Sequence, residues 1–223
     1  MGIVATILNA PVMTNKDDII KLILQQKILP LYSHEDAEQN KIILRACYDA
    51  GIRCFEFTNR HTPALDNFIE LKEYCNKNLP GMILGCGTIK NIHDAETFIN
   101  AGAAFLISPI ISKELIDFTQ KKKILWIPGC ATATEISMAE EAGISFVKIF
   151  PANLLGGISF IKAMKDIFPC IKMLATGGIN ADAEEIKAWL QNGTDAAGIG
   201  SQLFKYAEQG MMLEKIKHLL REL

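Results

Sequence analysis

The run EEAGISFVKIF, Glu140–Phe150, decides the fold. It reads as the last turn of a helix, a glycine that stops the helix in a left-handed conformation, and then an apolar strand. The same order recurs in YDAGIRCFEF (Tyr48–Phe57), INAGAAFLIS (Ile99–Ser108) and LQNGTDAAGIG (Leu190–Gly200). Between them lie LPGMILGCG (Leu79–Gly87), KKKILWIPG (Lys121–Gly129) and FPCIKMLATGG (Phe168–Gly178), with the same strand content under other punctuation. With an opening strand at KILPLYS (Lys27–Ser33), the tally is about eight strands separated by helices, the number that closes a parallel barrel. Only the alternation repeats, without a fixed consensus, which argues against a solenoid. A doubly wound open sheet shares the alternation, but its GxGxxG loop after the first strand is missing. The expected fold is therefore α/β, a single (β/α)8 TIM barrel domain over residues 1–223. An extra N-terminal helix is expected from about Asp17 to Gln26, where Ile19, Ile20, Leu22, Ile23 and Leu24 form an apolar stripe suited to plugging the barrel bottom.

Composition narrows the function. The 223 residues are 49% hydrophobic and 22% charged, enough to bury a sizeable core in an ordinary domain. A net charge of −2 gives no electrostatic reason to expect nucleic acid or an anionic membrane as partner, which leaves small molecules. The six cysteines form no CxxC pair and mostly sit in apolar runs, as expected in a reducing cytoplasm. The four histidines, His34, His61, His93 and His218, lack the spacings that gather ligands round zinc, so no metal is expected. The first residues, MGIVATILNAPVM, carry no Lys or Arg before Lys16, so the basic region of a secretory signal is missing. Gly2 and Thr6 also fit a myristoylation pattern, a motif short enough to arise by chance. The expectation is that this arm packs against the domain; no run is long enough to span a bilayer.

In a closed barrel the working residues sit at the C-terminal ends of the strands. In CFEFTNR, alternation puts Cys54, Glu56, Thr58 and Arg60 on one face and Phe55, Phe57 and Asn59 on the other. With the phenylalanines against the helices, Glu56 faces the barrel axis, a costly place for a carboxylate that is neither paired nor employed. A structural Glu56–Arg60 salt bridge is the competing reading. In ISFVKIFPAN, alternation groups Phe146, Lys148 and Phe150. Partial desolvation of a lysine so placed frees the amine lone pair for attack on a ketone. The pattern equally allows the reversed register, in which Lys148 snorkels to solvent. The loops ATGGINADAEE and GIGSQLF follow the last two strands, where barrels often bind phosphate; Thr176, Gly177, Gly178, Gly200 and Ser201 are the candidates, against ordinary turn chemistry. Thr88 in GCGTI, and Ser108 and Pro109 in LISPI, offer hydroxyls and a rigid wall at the mouth. The KKK run, Lys121 to Lys123, fits a solvated connector at the opposite end.

Taken in order, FEFTNR, GCGTI, LISP, IPGCAT, VKIFPAN, TGGI and GIGSQLF resemble the 2-keto-3-deoxy-6-phosphogluconate (KDPG)/4-hydroxy-2-oxoglutarate (KHG) aldolases over nearly the whole chain after the N-terminal arm. The resemblance implies a class I aldolase, usually a homotrimer, that forms a Schiff base with pyruvate and needs no metal or other cofactor. Lys148 matches the Schiff-base lysine and Glu56 the general acid/base. Arg60 and Thr88 match the residues that hold the pyruvate carboxylate. Pro109 and Phe150 match apolar walls, and Thr176, Gly177, Gly178, Gly200 and Ser201 match the phosphate end. Three positions depart from the family's habit: Asn153, often acidic; Ile110, often glycine; and Asn59, often aliphatic. Asn153 and Ile110 are expected at the mouth, where a bulky Ile110 would narrow the site for the sugar chain.

Overall fold

The computed structural model describes residues 15–205 and 211–223. The expected packing of the N-terminal arm, and the Gly2–Thr6 pattern within it, lie outside the described residues. The chain opens with α1 (Lys16–Gln26) and then alternates through β1 (Ile28–Tyr32), α2 (Ala37–Asp49), β2 (Cys54–Thr58), α3 (Ala64–Asn78), β3 (Ile83–Gly87), α4 (Ile92–Asn100) and β4 (Phe105–Ile107). There follow α5 (Lys113–Lys122), β5 (Leu125–Ile127), β6 (Gly129–Cys130), α6 (Ala133–Glu141), β7 (Phe146–Ile149), α7 (Ile158–Ile167), β8 (Lys172–Thr176), α8 (Ala183–Gln191), β9 (Ala196–Ile199), α9 (Ser201–Phe204) and α10 (Met212–Glu222).

The strands pair in parallel in the order β5-β4-β3-β2-β1-β9-β8-β7-β6. Its two ends are one stretch of chain, because β5 and β6 flank Pro128. On one side the Ser108 amide donates to the Ile127 carbonyl at 3.1 Å, and on the other the Lys148 amide donates to the Pro128 carbonyl at 2.7 Å. The barrel is thus nearly closed. The expected fifth strand appears as two segments because proline has no N–H to give the ladder.

The boundary chemistry read from the sequence holds. Gly143 ends α6 at φ 71°, with its amide on the Glu140 carbonyl at 2.8 Å and the Ile144 amide on the Ala139 carbonyl at 2.9 Å. At the other end of α6, Thr132 accepts from the Glu135 amide at 3.3 Å while the Glu135 carboxylate accepts from the Ala131 amide at 2.7 Å. That reciprocal cap fixes where the helix leaves the sheet.

Period-two alternation divides the apolar side chains into two layers. Phe55, Phe57, Val147, Ile149 and Met173 pack outward against helix residues such as Phe68, Phe98 and Trp189. Leu29, Cys54, Ile83, Phe105, Leu125, Phe146 and Leu174 pack inward, in one cluster with Ile19, Ile20 and Ile23 of α1. α1 therefore seals the N-terminal end of the barrel. Gln26 pins it there: its amide nitrogen donates to the Ile28 and Cys54 carbonyls at 2.6 and 3.0 Å, and its oxygen accepts from the Arg53 and Cys54 amides at 2.9 and 3.1 Å. Among the described residues no helix is long and apolar enough to cross a membrane.

Candidate active site

In the ring of strands β2 and β7 are separated by β1, β9 and β8, which puts them on opposite walls. Inward parity holds Cys54, Glu56 and Thr58 on one wall and Phe146 and Lys148 on the other, so the two charged chains meet near the axis. Lys148 Nζ lies 3.6 Å from Glu56 Oε1, with the side chains 4% and 0% exposed. Lys148 thus faces the interior, and the reversed register is not the one adopted. Its Nζ also stands 5.2 Å from the centre of the Phe150 ring.

Glycines make the room. A Cβ at Gly87, on the strand beside β2, would stand 1.8 Å from Glu56 Oε1, and one at Gly198 would stand 2.2 Å from Thr176 Oγ1. Neither Glu56 oxygen has a hydrogen-bond partner among the described residues, and neither does Thr176 Oγ1. Buried polar atoms left this way cost stability, so their retention points to a use outside folding. Among the described residues no ion pair joins Glu56 to Arg60: the structural bridge considered from sequence is replaced by the pairing with Lys148. Arg60 instead stands exposed at the rim, its Nε 3.4 Å from Thr88 Oγ1.

Above this pair opens a cavity of about 350 Å³ lined by Thr58, Arg60, Phe150, Thr176, Gly177, Gly178, Gly200 and Ser201 together with Tyr32, Ser33, His61 and Gln202. Its size falls at the lower end of the range for small-molecule sites. Lys148 and Glu56 lie one strand layer below Phe150 and Thr58. Thr88 and Pro109 stand off the lining, toward β3 and β4. Pro109 backs onto Gly129, the register partner of Lys148, where a Cβ would come within 2.4 Å of the Pro109 carbonyl carbon. Gly177 and Gly178 hold φ of 100° and 79°, which lets the backbone turn into the cavity where a side chain would strain it. Asn153 stands behind that turn, its amide on the Gly177 carbonyl at 3.0 Å. Ile110 is 41% exposed and does not line the cavity, so the expected narrowing is not seen.

Sequence reasoning missed Tyr32, Ser33, His61 and Gln202. Ser33 was within reach of the same parity rule, since Leu29 and Leu31 of β1 point inward and Ser33 follows in step. Ser33 Oγ lies 2.7 Å from Thr58 Oγ1. Tyr32 packs edge-on against Phe204, and burial raises its phenol above the ordinary value, which keeps it protonated. Among the described residues no three or more His, Cys, Asp or Glu side chains gather as a metal-ligand group.

Known proteins match this chain in sequence and in fold. The family model for KDPG and KHG aldolase covers residues 19–219. A 2-dehydro-3-deoxy-phosphogluconate aldolase of Treponema pallidum is 33% identical over 162 residues, 73% of this chain and 75% of that protein. A 2-dehydro-3-deoxy-6-phosphogalactonate aldolase of Escherichia coli is 34% identical over 124 residues, 55% of this chain and 59% of its own length. The crystal structure of KDPG aldolase from Legionella pneumophila, with pyruvate captured at low pH as a covalent carbinolamine intermediate, superposes with a TM-score of 0.79 at 27% identity, covering 89% of this chain and 96% of the other. The barrel, its opposed lysine and carboxylate and these matches agree: the chain belongs to the KDPG and KHG aldolase family of lyases.

Proposed function

We propose that this chain cleaves 2-keto-3-deoxy-6-phosphogluconate, or the shorter 4-hydroxy-2-oxoglutarate, to pyruvate and an aldehyde through a Schiff base on Lys148. The observation that carries the reading is the Lys148 side-chain nitrogen in the barrel interior, 3.6 Å from a Glu56 carboxylate whose oxygens have no hydrogen-bond partner among the described residues. As a neutral amine, Lys148 adds to the C2 ketone to give a carbinolamine. Glu56, as acid, delivers the proton with which the hydroxyl leaves as water, and the protonated imine remains. The imine then withdraws the electron pair of the C3–C4 bond. As that bond breaks, the C4 hydroxyl gives its proton to Glu56, C4 becomes the aldehyde carbon, and C3 is left as an enamine. Protonation of C3 and addition of water to the imine release pyruvate and restore the amine.

Arg60 and Thr88 hold the C1 carboxylate, a charge-assisted contact that fixes the ketone relative to Lys148. Phe150 and Pro109 wall the pyruvate half. Thr176, Gly177, Gly178, Gly200 and Ser201 receive the phosphate, with glycine backbone open to close approach by the anion. The test is borohydride reduction in the presence of pyruvate. A stable adduct mapped to Lys148 by peptide mass is expected, and an unmodified lysine sinks the proposal. The partial match to a phosphogalactonate aldolase favours one second reading, the C4-epimeric acid as substrate. Cleavage rates for the two six-carbon epimers and for 4-hydroxy-2-oxoglutarate decide among them. The proposal extends to a cytoplasmic enzyme, whose unpaired cysteines suit a reducing medium, and to a homotrimer, as is usual for the family. Light scattering on the purified protein checks the trimer.

A further inference from the structure

We infer that Ser33 and Thr58 form a two-hydroxyl handle that binds the C5 hydroxyl of the six-carbon substrate and so sets the preference between the longer and shorter acids. The inference rests on the aldolase reading above. The register Leu31↔Glu56 and Tyr32↔Phe57, carried one residue on, sets Ser33 opposite Thr58, and the two oxygens stand 2.7 Å apart. Thr58 is 3% exposed and Ser33 half-buried, and both line the cavity. A bond between two hydroxyls uses one hydrogen and leaves the other free. If Ser33 donates, the Thr58 hydrogen is left facing the cavity; if Thr58 donates, Ser33 offers its own. Either way the pair presents one donor hydrogen to a ligand, polarised by the bond behind it.

The ring order says which ligand atom is in reach. β1 stands between β2, which leads to Arg60, and β9, which leads to Gly200. A substrate with its carboxylate at Arg60 and its phosphate at the glycine loops passes the tip of β1 with its middle carbons. The C4 oxygen must reach Glu56, because it loses its proton in the cleavage. Thr58 lies two residues further along the same strand, roughly 7 Å outward, and the next hydroxyl outward along the substrate is that on C5. In 4-hydroxy-2-oxoglutarate, C5 is a carboxylate, which accepts the handle's hydrogen but has none to give back to the handle's lone pairs, so it makes one bond there where a C5 hydroxyl makes two.

The experiment compares kcat/KM for 2-keto-3-deoxy-6-phosphogluconate and 4-hydroxy-2-oxoglutarate in wild type, Ser33→Ala, Thr58→Val and Thr58→Ser. Ser33→Ala and Thr58→Val are expected to lower the ratio of the first to the second by about tenfold, the scale of one lost hydrogen bond. Thr58→Ser keeps the hydroxyl and the ratio. An unchanged ratio, or an equal fall on both acids, overturns the handle while leaving the aldolase reading intact. A wild-type protein that cleaves neither acid and traps no pyruvate removes the reading beneath it, and the handle with it.

Discussion

The two ends of this barrel solve opposite problems. At the N-terminal end, α1 lays Ile19, Ile20 and Ile23 onto the inner apolar layer, and Gln26 satisfies four backbone groups of the first two strands and the turn before β2. At the C-terminal end, Glu56 is fully buried, ion-paired with Lys148 but with no hydrogen bond to either oxygen among the described residues, Thr176 Oγ1 has no hydrogen-bond partner, and glycines hold open the space beside them. The N-terminal end also leaves one hydroxyl orphaned, Thr194 Oγ1 just before β9, but among the described residues only the C-terminal end sets a buried carboxylate against a buried lysine. The contrast separates residues that hold the barrel from residues kept for chemistry, and it can be broken by substitution.

The largest expected effect is at Lys148. Lys148→Ala is expected to lower cleavage to background, a loss on the order of a millionfold if the amine is the nucleophile. Stability should move the other way once both charges go. Lys148→Met combined with Glu56→Leu replaces a buried pair by apolar groups of similar volume, and such exchanges range from neutral to about 4 kcal/mol stabilising. Urea unfolding of the double variant checks this. A double variant clearly less stable than wild type makes the pair part of the scaffold, and the contrast between the two ends fails.

Next in size is Glu56→Gln. An amide cannot shuttle the proton, so turnover is expected to fall by about 10² to 10⁴. Slow reductive trapping of pyruvate on Lys148 should survive, because the amine remains. Wild-type turnover in this variant takes Glu56 out of the mechanism and leaves a buried carboxylate with no hydrogen bond and no purpose beyond its pairing with Lys148.

At the sealed end the effects appear in stability and not in rate constants. Ile23 is fully buried beneath the strands, so Ile23→Ala is expected to cost about 2–5 kcal/mol, read from the urea midpoint. Gln26→Ala strands backbone groups at the foot of β1 and β2, with a cost of about 1–3 kcal/mol. In both variants kcat for the folded fraction should stay near wild type. A fall in kcat without a fall in stability would show that the two ends are coupled.

Much of this architecture is legible in the sequence. The glycine-stopped helices give the alternation, and period two puts Glu56, Thr58 and Lys148 on inward faces. Pairing across the ring is legible only through the resemblance, which sets Glu56 to work beside Lys148, and not from the alternation itself. That Glu56 meets Lys148 and not Arg60 depends on β2 and β7 facing each other, which only closure decides. Pro128 is visible as a residue but not as a split in the strand, because its carbonyl still serves Lys148 while its missing N–H interrupts the ladder. Gln26 lies off the apolar stripe and yet ties α1 to the strands, since hydrophobic patterning is silent about polar groups that bond to distant backbone. Ser33 has a parity as clear as that of Glu56, but a hydroxyl costs far less to bury than a charge and so does not stand out in an apolar run.

The smallest effects sharpen the contrast through the thiols. Burial pushes Cys75 up to about 11 and Cys130 to about 12, and raises Cys47, Cys54 and Cys86 as well, while Cys170 is exposed. The folded state therefore favours the neutral thiol, and above the ordinary value near 9 the unfolded chain gains thiolate that the folded chain does not. The unfolded state then binds fewer protons, so this contribution to stability is complete below about pH 9 and is lost as pH rises toward the folded values. In native protein at pH 8 a thiol reagent should modify Cys170 at once and the others only through opening. With Cys170→Ser as background, Cys54 reports the inner layer above α1, and Cys130 reports β6 near Lys148. Labelling slower at Cys54 than at Cys130 is expected if the sealed end opens last. Equal rates would mean that the barrel opens as one unit and that the difference between its ends lies in chemistry alone.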